Sequence, residues 1–356
     1  MKRRILLLSF VIAIALVSCK KDDPVTPYVP PINPVTGLFI LNEGTFTYAN
    51  SSLSYYNMDD NTVDNNVFFR VNNAPIGDVG QSLAKVDNDL FIVVNNSKYI
   101  YKVDAQTIIY KAKIEGFTSP RYMLPVSSDK AYVSDLESRG LWLLNLNTLE
   151  KSFLETGNTT EAMVQVGNEV FASNWSNYYT NGETSNKTVQ VIDCVNDTLV
   201  GDIEVAQEPN AMAVDKYNHI WVSCSGGYMP PCDPAIICID AATHQVIKRF
   251  DLAEGSYPSG MAIDGAGENI FFMNGGYGTL NVYKMSVDAT EVPETPFITS
   301  ASKVFYNLKV NPQNGDIYVT DAKNYVVNGD LLRYSSNGTL LGSYEMGLIP
   351  SYMLFN

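Results

Sequence analysis

The feature that most constrains the fold is a unit that recurs seven times. Each copy has a small or polar residue, then Met or Leu, then two strand-like apolar segments joined by a turn. The copies start at Gln81, Arg121, Glu161, Asn210, Ser259, Tyr306 and Ser351. Successive starts lie 40, 40, 49, 49, 47 and 45 residues apart, and four-stranded propeller blades typically repeat every ~40–50 residues. The pattern predicts an all-β, seven-bladed β-propeller over residues 37–356.

The two ends of this region predict how the ring closes. The last copy stops after a single strand, SYMLFN, and the chain ends there. At the other end, residues 37–42, 52–56 and 62–69 look like the three strands that this copy lacks. We therefore expect the N- and C-terminal strands to pair in one blade, which removes an open sheet edge. A pair of packed β-sheets explains neither the period nor the truncated ends, and no long helical period follows residue 36.

The first 36 residues indicate export and anchoring. Three basic residues precede an apolar run from Ile5 to Val17, as in a secretory signal. The run ends in Leu-Val-Ser-Cys, which resembles a bacterial lipobox and implies lipidation of Cys19; the alternative is an ordinary cleaved signal. Residues 20–36 are rich in proline, which predicts an extended tether. The expected division is therefore a signal peptide at 1–19, a tether at 20–36 and a propeller at 37–356.

Charge and composition exclude some partners. The formal net charge is −14, and it becomes −17 without residues 1–19, which hold three basic and no acidic residues. Such a chain has no spare positive charge for nucleic acid. Two histidines disfavour a multi-histidine metal site and histidine catalysis. The carboxylates of Glu43, Asp135, Glu161 and Asp321 fall near one rim but show no ligand-dense motif, so we predict no metal, no catalytic cofactor and no enzyme activity.

Four cysteines remain after Cys19. Cys224 and Cys232 flank a short Gly/Pro loop, CSGGYMPPC, and a disulfide between them is plausible in an oxidising compartment. The alternative is that these thiols are free and buried.

One face of the predicted propeller carries the candidate site. In this fold the loops between second and third strands lie on the face where the first strands start. Six of these seven loops contain an aromatic residue and the seventh contains an arginine, whereas the turns on the opposite face are short and mostly lack aromatics. Aromatic rings with Asn amides and Tyr hydroxyls suit a large polar ligand. The candidate ligand-binding residues are Asn42, Phe46, Tyr48, Gln81, Tyr99, Arg121, Arg139, Trp175, Tyr178, Tyr179, Asn210, Tyr228, Tyr277, Tyr306 and Tyr325.

A family resemblance narrows the expected ligand. The region from residue 37 is similar to extracellular YncE-like, YVTN-type propellers. The segment LNEGTFTYANSSLSYYN, followed by GDVGQSL, resembles the opening blade of the BtuG-like surface lipoprotein propellers of Bacteroidetes. The residues that carry this resemblance are Asn42, Glu43, Gly44, Ser54, Tyr55, Gly77, Asp78 and Gln81. Lys20-Lys21-Asp22-Asp23 also resembles the acidic export tag of such lipoproteins.

The resemblance implies an outer-membrane, cell-surface lipoprotein that binds cobalamin or a related corrinoid. It also implies delivery of that ligand to a TonB-dependent outer-membrane transporter. Arg121 or Arg139 is expected to meet the ligand's phosphate. Two alternatives stay open: a glycan- or protein-binding lipoprotein of a nutrient-uptake complex, and a lactonase-like propeller hydrolase.

Overall fold

A computed structural model of the chain describes residues 27–32, 36–227, 230–276 and 278–356. Seven antiparallel sheets follow one another along the chain, and the first strands of neighbouring sheets contact each other around a central axis. The predicted all-β, seven-bladed propeller is therefore confirmed. The predicted signal peptide with Cys19 and most of the tether lie outside the described residues, as do the candidate ligand residues Tyr228 and Tyr277.

The strands are numbered along the chain and the blades by their order. Blade 1 contains β1 (Gly37–Asn42), β2 (Ser52–Asn57), β3 (Thr62–Asp64) and, from the C-terminus, β27 (Pro350–Phe355). Blade 2 contains β4 (Gly80–Val86), β5 (Asp89–Val94), β6 (Tyr99–Asp104) and β7 (Tyr110–Glu115). Blade 3 contains β8 (Pro120–Pro125), β9 (Lys130–Asp135), β10 (Gly140–Asn145) and β11 (Lys151–Glu155).

The remaining blades follow the same order. Blade 4 contains β12 (Met163–Val166), β13 (Glu169–Asn174), β14 (Thr188–Asp193) and β15 (Thr198–Glu204), with a 3₁₀ turn at Tyr178–Thr180. Blade 5 contains β16 (Pro209–Val214), β17 (His219–Cys224), β18 (Ala235–Asp240) and β19 (Gln245–Asp251). Blade 6 contains β20 (Ser259–Ile263), β21 (Asn269–Gly276) and β22 (Thr279–Ser286). Blade 7 contains β23 (Phe305–Val310), β24 (Ile317–Asp321), β25 (Asn328–Tyr334) and β26 (Leu340–Leu348).

The core lies between neighbouring blades. In β5, Leu90, Ile92 and Val94 pack against blade 1, while Phe91 and Val93 pack against blade 3. Successive side chains of a strand point to opposite faces, so a strand between two blades must be apolar on both faces. This explains why the second strands are unbroken apolar runs.

The ring of blades closes as predicted, because the last strand of the propeller pairs with the first. Strand β27 pairs antiparallel with β1, with Leu38 opposite Phe355 and Ile40 opposite Met353. All of β1 is buried, and Met353 is fully buried. The closing strand therefore covers the edge of β1 that would otherwise face solvent.

Two predicted fourth strands differ in the structure. In blade 1, β3 ends at Asp64, and Val67–Asn72 forms a short helix, α1, rather than strand. Asn66 and Asn73 bound α1 in the left-handed region, and Val67 and Phe68 are buried in the core between blades 1 and 2. The apolar residues that suggested a strand therefore pack through a helical turn.

Blade 6 has three strands, and only an isolated bridge from Val282 to Ile298 stands where a fourth strand is expected. Pro293 and Pro296 lie in that segment, and proline has no N–H to donate to a strand ladder.

Among the described residues, no helix is both long and apolar enough to cross a membrane.

Candidate functional site

The central axis contains a cavity of about 550 Å³. The first strands of the blades form its wall, and it opens toward the face where those strands start. We call this space the axial cavity and its opening the mouth. The polar residues that line it are Glu43, Gln81, Arg121, Glu161, Asn210, Ser259, Asn307, Lys309 and Ser351. Its aromatic lining residues are Tyr122, Trp175, Tyr257, Tyr306 and Tyr352.

A buried ion pair forms one wall. Arg121 Nε donates to Glu161 Oε1 at 3.0 Å and Oε2 at 2.8 Å, and Arg121 Nη2 donates to Oε1 at 2.7 Å. The side chains are 16% and 5% exposed, respectively. Arg121 Nη1 also donates to Gln81 Oε1 at 2.6 Å. Burial opposes the charge on Arg121, but Glu161 more than offsets it and raises the pKa of the guanidinium.

A second polar pair lies at the mouth, between blades 1 and 7. The Tyr306 hydroxyl donates to Glu43 Oε2 at 2.8 Å. Burial raises the pKa of the Glu43 carboxyl, although the Tyr306 hydrogen bond and the charge of Arg121 act against that rise. Burial likewise raises the pKa of the Tyr306 hydroxyl well above its usual value. The carboxyl of Glu43 therefore takes up a proton more readily than an exposed glutamate does.

Aromatic rings and apolar side chains form the deeper part of the axial cavity. The rings of Tyr122 and Tyr352 lie 6.1 Å apart, and Leu124, Val164 and Met212 line the same space. Burial raises the pKa of the Tyr122 hydroxyl. The cavity thus joins a polar mouth to a largely apolar base, as in many small-molecule sites.

Five of the predicted ligand residues line the axial cavity: Gln81, Arg121, Trp175, Asn210 and Tyr306. Trp175 follows β13, and the guanidinium carbon of Arg121 lies 5.8 Å from its ring centroid. The Asn210 amide is already paired within the protein, since Nδ2 donates to Pro258 O at 2.9 Å and Oδ1 accepts from Ser223 at 2.7 Å.

Other predicted residues lie at the mouth but outside the cavity lining. Tyr325 packs edge-on against Tyr306, with ring centroids 6.0 Å apart. Tyr178 and Tyr179 pack against each other at 5.2 Å and are 79% and 53% exposed. Phe46 and Tyr48 are also exposed, at 65% and 72%. These side chains are accessible on loops but are not joined into one site.

Three predicted ligand residues lie outside the axial cavity lining and are engaged elsewhere in the protein. Asn42 is fully buried, with Nδ2 donating to Ser54 and Oδ1 accepting from the Gly347 backbone, so it holds blade 1 together. The Tyr99 hydroxyl donates to Ile76 O at 2.7 Å, so it ties down the segment before β4. Arg139 pairs with Glu183 on the surface, outside the axial cavity.

The predicted ligand-binding residues do not include Tyr122, Tyr257, Lys309, Tyr352 and Glu43, although all five line the axial cavity. The repeat itself indicates two of them as cavity residues, because Tyr122 and Tyr352 each follow the first residue of a repeat copy. Lys309 lies deeper in β23, where the repeat does not distinguish cavity residues from core residues. The aromatic-loop pattern does not select Glu43, which the sequence marks as a rim carboxylate and as part of the family resemblance.

Two of the rim carboxylates, Asp135 and Asp321, accept hydrogen bonds from the protein itself. Asp135 accepts from the Ser119 and Ser138 backbone N–H groups and from Trp142 Nε1, and Asp321 accepts from the Val304 N–H at 2.9 Å. In the part of the chain that the structure describes, no group of three or more His, Cys, Asp or Glu is placed to hold a metal ion.

Both histidines lie at the face opposite the mouth, His219 at the start of β17 and His244 on the turn before β19. His219 Nδ1 lies 3.3 Å from Asp215, and His244 Nε2 lies 2.9 Å from Glu169. The first contact lies within blade 5 and the second joins blade 5 to blade 4, and neither involves a residue of the axial cavity lining.

The candidate disulfide is not formed in the structure. Cys224 and Cys232 are both free thiols, with Cys224 buried among Ala206, Ala235 and Val222, and Cys232 exposed on the following loop. Burial raises the pKa of the Cys224 thiol. The chain therefore directs Cys224 into the core between blades 4 and 5, away from Cys232.

We expect a maleimide to label Cys232 rapidly in the native protein, while Cys194, Cys224 and Cys238 react only after denaturation, because a buried thiol is inaccessible and its thiolate disfavoured. Peptide mass spectrometry before and after guanidinium treatment identifies the labelled positions. A peptide pair that joins Cys224 to Cys232 and is lighter by two hydrogens would contradict this expectation.

Comparisons with known proteins agree on the fold. The family profile described as "Domain of unknown function (DUF5074)" matches residues 36–356. No curated protein sequence matches the chain significantly. A quinonprotein alcohol dehydrogenase-like protein from Bacteroides thetaiotaomicron is similar in structure, with 15% identity, a TM-score of 0.69, and 90% of this chain and 78% of that chain covered.

Two other solved structures are also similar. A candidate 6-phosphogluconolactonase from Bacteroides fragilis has 13% identity and a TM-score of 0.66, with 92% of this chain and 100% of that chain covered. A Lactobacillus plantarum protein has 11% identity and a TM-score of 0.63, with 90% and 99% covered. At these identities the likeness shows the propeller fold alone.

Proposed function

Because the chain belongs to the DUF5074 family over the whole of its predicted propeller, we propose that the protein is a non-catalytic surface receptor of that family. Its ligand is cobalamin or a related corrinoid, which it passes to a TonB-dependent outer-membrane transporter. The anchoring part of this proposal rests on residues 1–36, whose sequence has the features of a lipoprotein signal followed by a tether.

The observation that carries the proposal is how charge is distributed in the axial cavity. Arg121 is neutralised by Glu161, and the other two charged groups of the lining, Glu43 and Lys309, are of opposite sign. The axial cavity is therefore rich in hydrogen-bonding groups but nearly compensated in charge. This suits the periphery of a corrin, which presents many neutral amides, and Trp175 supplies a flat surface beside them. Part of the ligand enters the cavity and the rest covers the mouth.

The first test is direct binding of cyanocobalamin, measured by co-elution in gel filtration and by calorimetry. We expect Trp175→Ala to weaken binding on the order of tenfold, because the loss of one central aromatic contact typically has that effect. Tyr217→Ala is the control, since Tyr217 is an aromatic residue on the opposite face, 50% exposed, whose loss leaves the axial cavity unchanged. If the protein fails to co-elute with the coloured ligand, the proposal is wrong.

A second candidate function is glycan binding in a nutrient-uptake complex. Tyr178 and Tyr179 stand exposed on the loop that also carries Trp175, and such aromatic platforms stack on sugar rings. A glycan array tests this candidate, and Tyr178→Ala distinguishes it, since Tyr178 lies outside the axial cavity. Calcium-dependent lactone hydrolysis is the assay for the third candidate, an enzyme.

A further inference from the structure

Lys309 is a cation of the axial cavity that has no ion-pair partner among the described residues. It lies in β23 and lines the base of the cavity. Its ammonium lies 5.5 Å from the centroid of the Tyr352 ring. Among the residues that the structure describes, this contact with the Tyr352 ring is its recorded interaction, and no carboxylate or carbonyl accepts a hydrogen bond from it. Lysines near an apolar surface normally acquire an anionic partner or reach water.

The arginines that were expected to meet an anion are already engaged. Arg121 donates through Nε, Nη1 and Nη2 to Glu161 and Gln81. Arg139 pairs with Glu183 outside the cavity. Recruiting either of them for a ligand means giving up an existing ion pair, whereas Lys309 has none to break.

Trp175 is the second unpaired donor in the same cavity. Its Nε1 is buried and has no acceptor among the described residues, and it is the one cavity-lining atom in that condition. The other tryptophan nitrogens have acceptors: Trp142 Nε1 donates to Asp135 at 3.0 Å and Trp221 Nε1 to Asp215 at 2.9 Å. Lys309 and Trp175 Nε1 are thus both donors, which a ligand oxygen can satisfy.

We infer that the axial cavity binds an oxyanion group of the ligand, a phosphodiester or a carboxylate, with Lys309 as its cation. The inference rests on the proposed function and sharpens it: in a corrinoid the matching group is the phosphodiester of the nucleotide loop. Trp175 Nε1 donates to another ligand oxygen in the same space. Charge-assisted hydrogen bonds of this kind are stronger than neutral ones.

Lys309→Met tests the inference because methionine keeps the apolar stem and removes the charge. We expect wild type to bind cyanocobalamin about tenfold or more tightly than Lys309→Met. Cobinamide, which lacks the phosphodiester and base, should bind both proteins equally. Lys85→Met is the matched control, since Lys85 is on another first strand and donates to Asn356 at 2.8 Å outside the cavity lining.

Glu43→Gln adds an independent readout. It removes a negative charge from the cavity wall while keeping an acceptor for Tyr306, so binding of cyanocobalamin should tighten and binding of cobinamide should not change. If Lys309→Met and Glu43→Gln both leave the ratio of the two corrinoid affinities unchanged, the inference is overturned and corrinoid binding stands.

The opposite failure is also distinguishable. If neither corrinoid binds, inorganic phosphate and acetate are titrated at low ionic strength while the melting temperature is followed. A rise in melting temperature that occurs in wild type and Lys85→Met but not in Lys309→Met supports the oxyanion site without the corrinoid. Comparing the rise with acetate to the rise with phosphate shows which of the two oxyanions the site prefers. An equal response in all three proteins overturns the site.

Discussion

Replacing Arg121 with methionine is expected to lower the free energy of unfolding by about 3 kcal/mol, because it leaves the Glu161 carboxylate buried without its cation. The Glu161 residue as a whole is 3% exposed, and its two carboxylate oxygens accept three hydrogen bonds from Arg121. Urea denaturation at neutral pH measures the loss. Corrinoid binding should fall as well, since Gln81 and Trp175 both contact the lost guanidinium.

Two further variants separate the buried ion pair from a general effect of charge removal. Arg139→Met breaks an ion pair in which both partners are more than 40% exposed, so its expected cost is below about 1 kcal/mol. The double variant Arg121→Met, Glu161→Met should recover most of the stability, because an apolar pair can replace a buried ion pair. A single-variant loss as small as that of Arg139→Met would contradict the role assigned to Arg121.

Truncation after Ile349 is expected to remove all of the protein's net stability, which for folded domains is about 5–15 kcal/mol. The deletion removes β27, and with it Met353 from the core and the partner of β1. The exposed edge of β1 is then an apolar template for aggregation. We expect no cooperative thermal transition, measured by circular dichroism, and little protein in the soluble fraction.

Deletion of Asn356 alone is the control for this truncation. It removes the hydrogen bonds from its N–H to Gly37 O and from Lys85 to its side chain, but it leaves every paired residue of β27 in place. We expect a loss of about 1–2 kcal/mol. A truncated chain that melts cooperatively within a few degrees of this control would show that closure contributes little.

Much of the fold follows from the repeat. A strand between two blades needs apolar residues on both faces, so each blade repeats the same pattern, and the unmatched strands at the ends predict which termini pair. The failures arose where the pattern has more than one physical solution. Residues 67–69 are apolar in either a strand or a helix, and left-handed Asn66 selects the helix.

The candidate site was less predictable because contacts across the ring leave no sequence pattern. Register shifts near Gly80 and between Pro120 and Met123 interrupt the alternation of the first strands. Regular alternation therefore does not tell which of Arg121 and Tyr122 faces the axis, and both line the cavity. Loop aromatics were equally ambiguous: Trp175 folds into the cavity wall, whereas Tyr178, three residues later, projects into solvent.

The sequence by itself determined the number of blades, the strand that closes them and the face that carries the aromatic loops. These properties depend on apolar periodicity and chain order, which are local. Only the tertiary structure decided that Arg121 is neutralised by Glu161 and that Glu43 meets Tyr306 across 263 residues of chain. It also decided that Lys309 has no anionic partner within the described part of the chain. Those pairings depend on which side chains meet across a closed ring, and only the folded ring sets those distances.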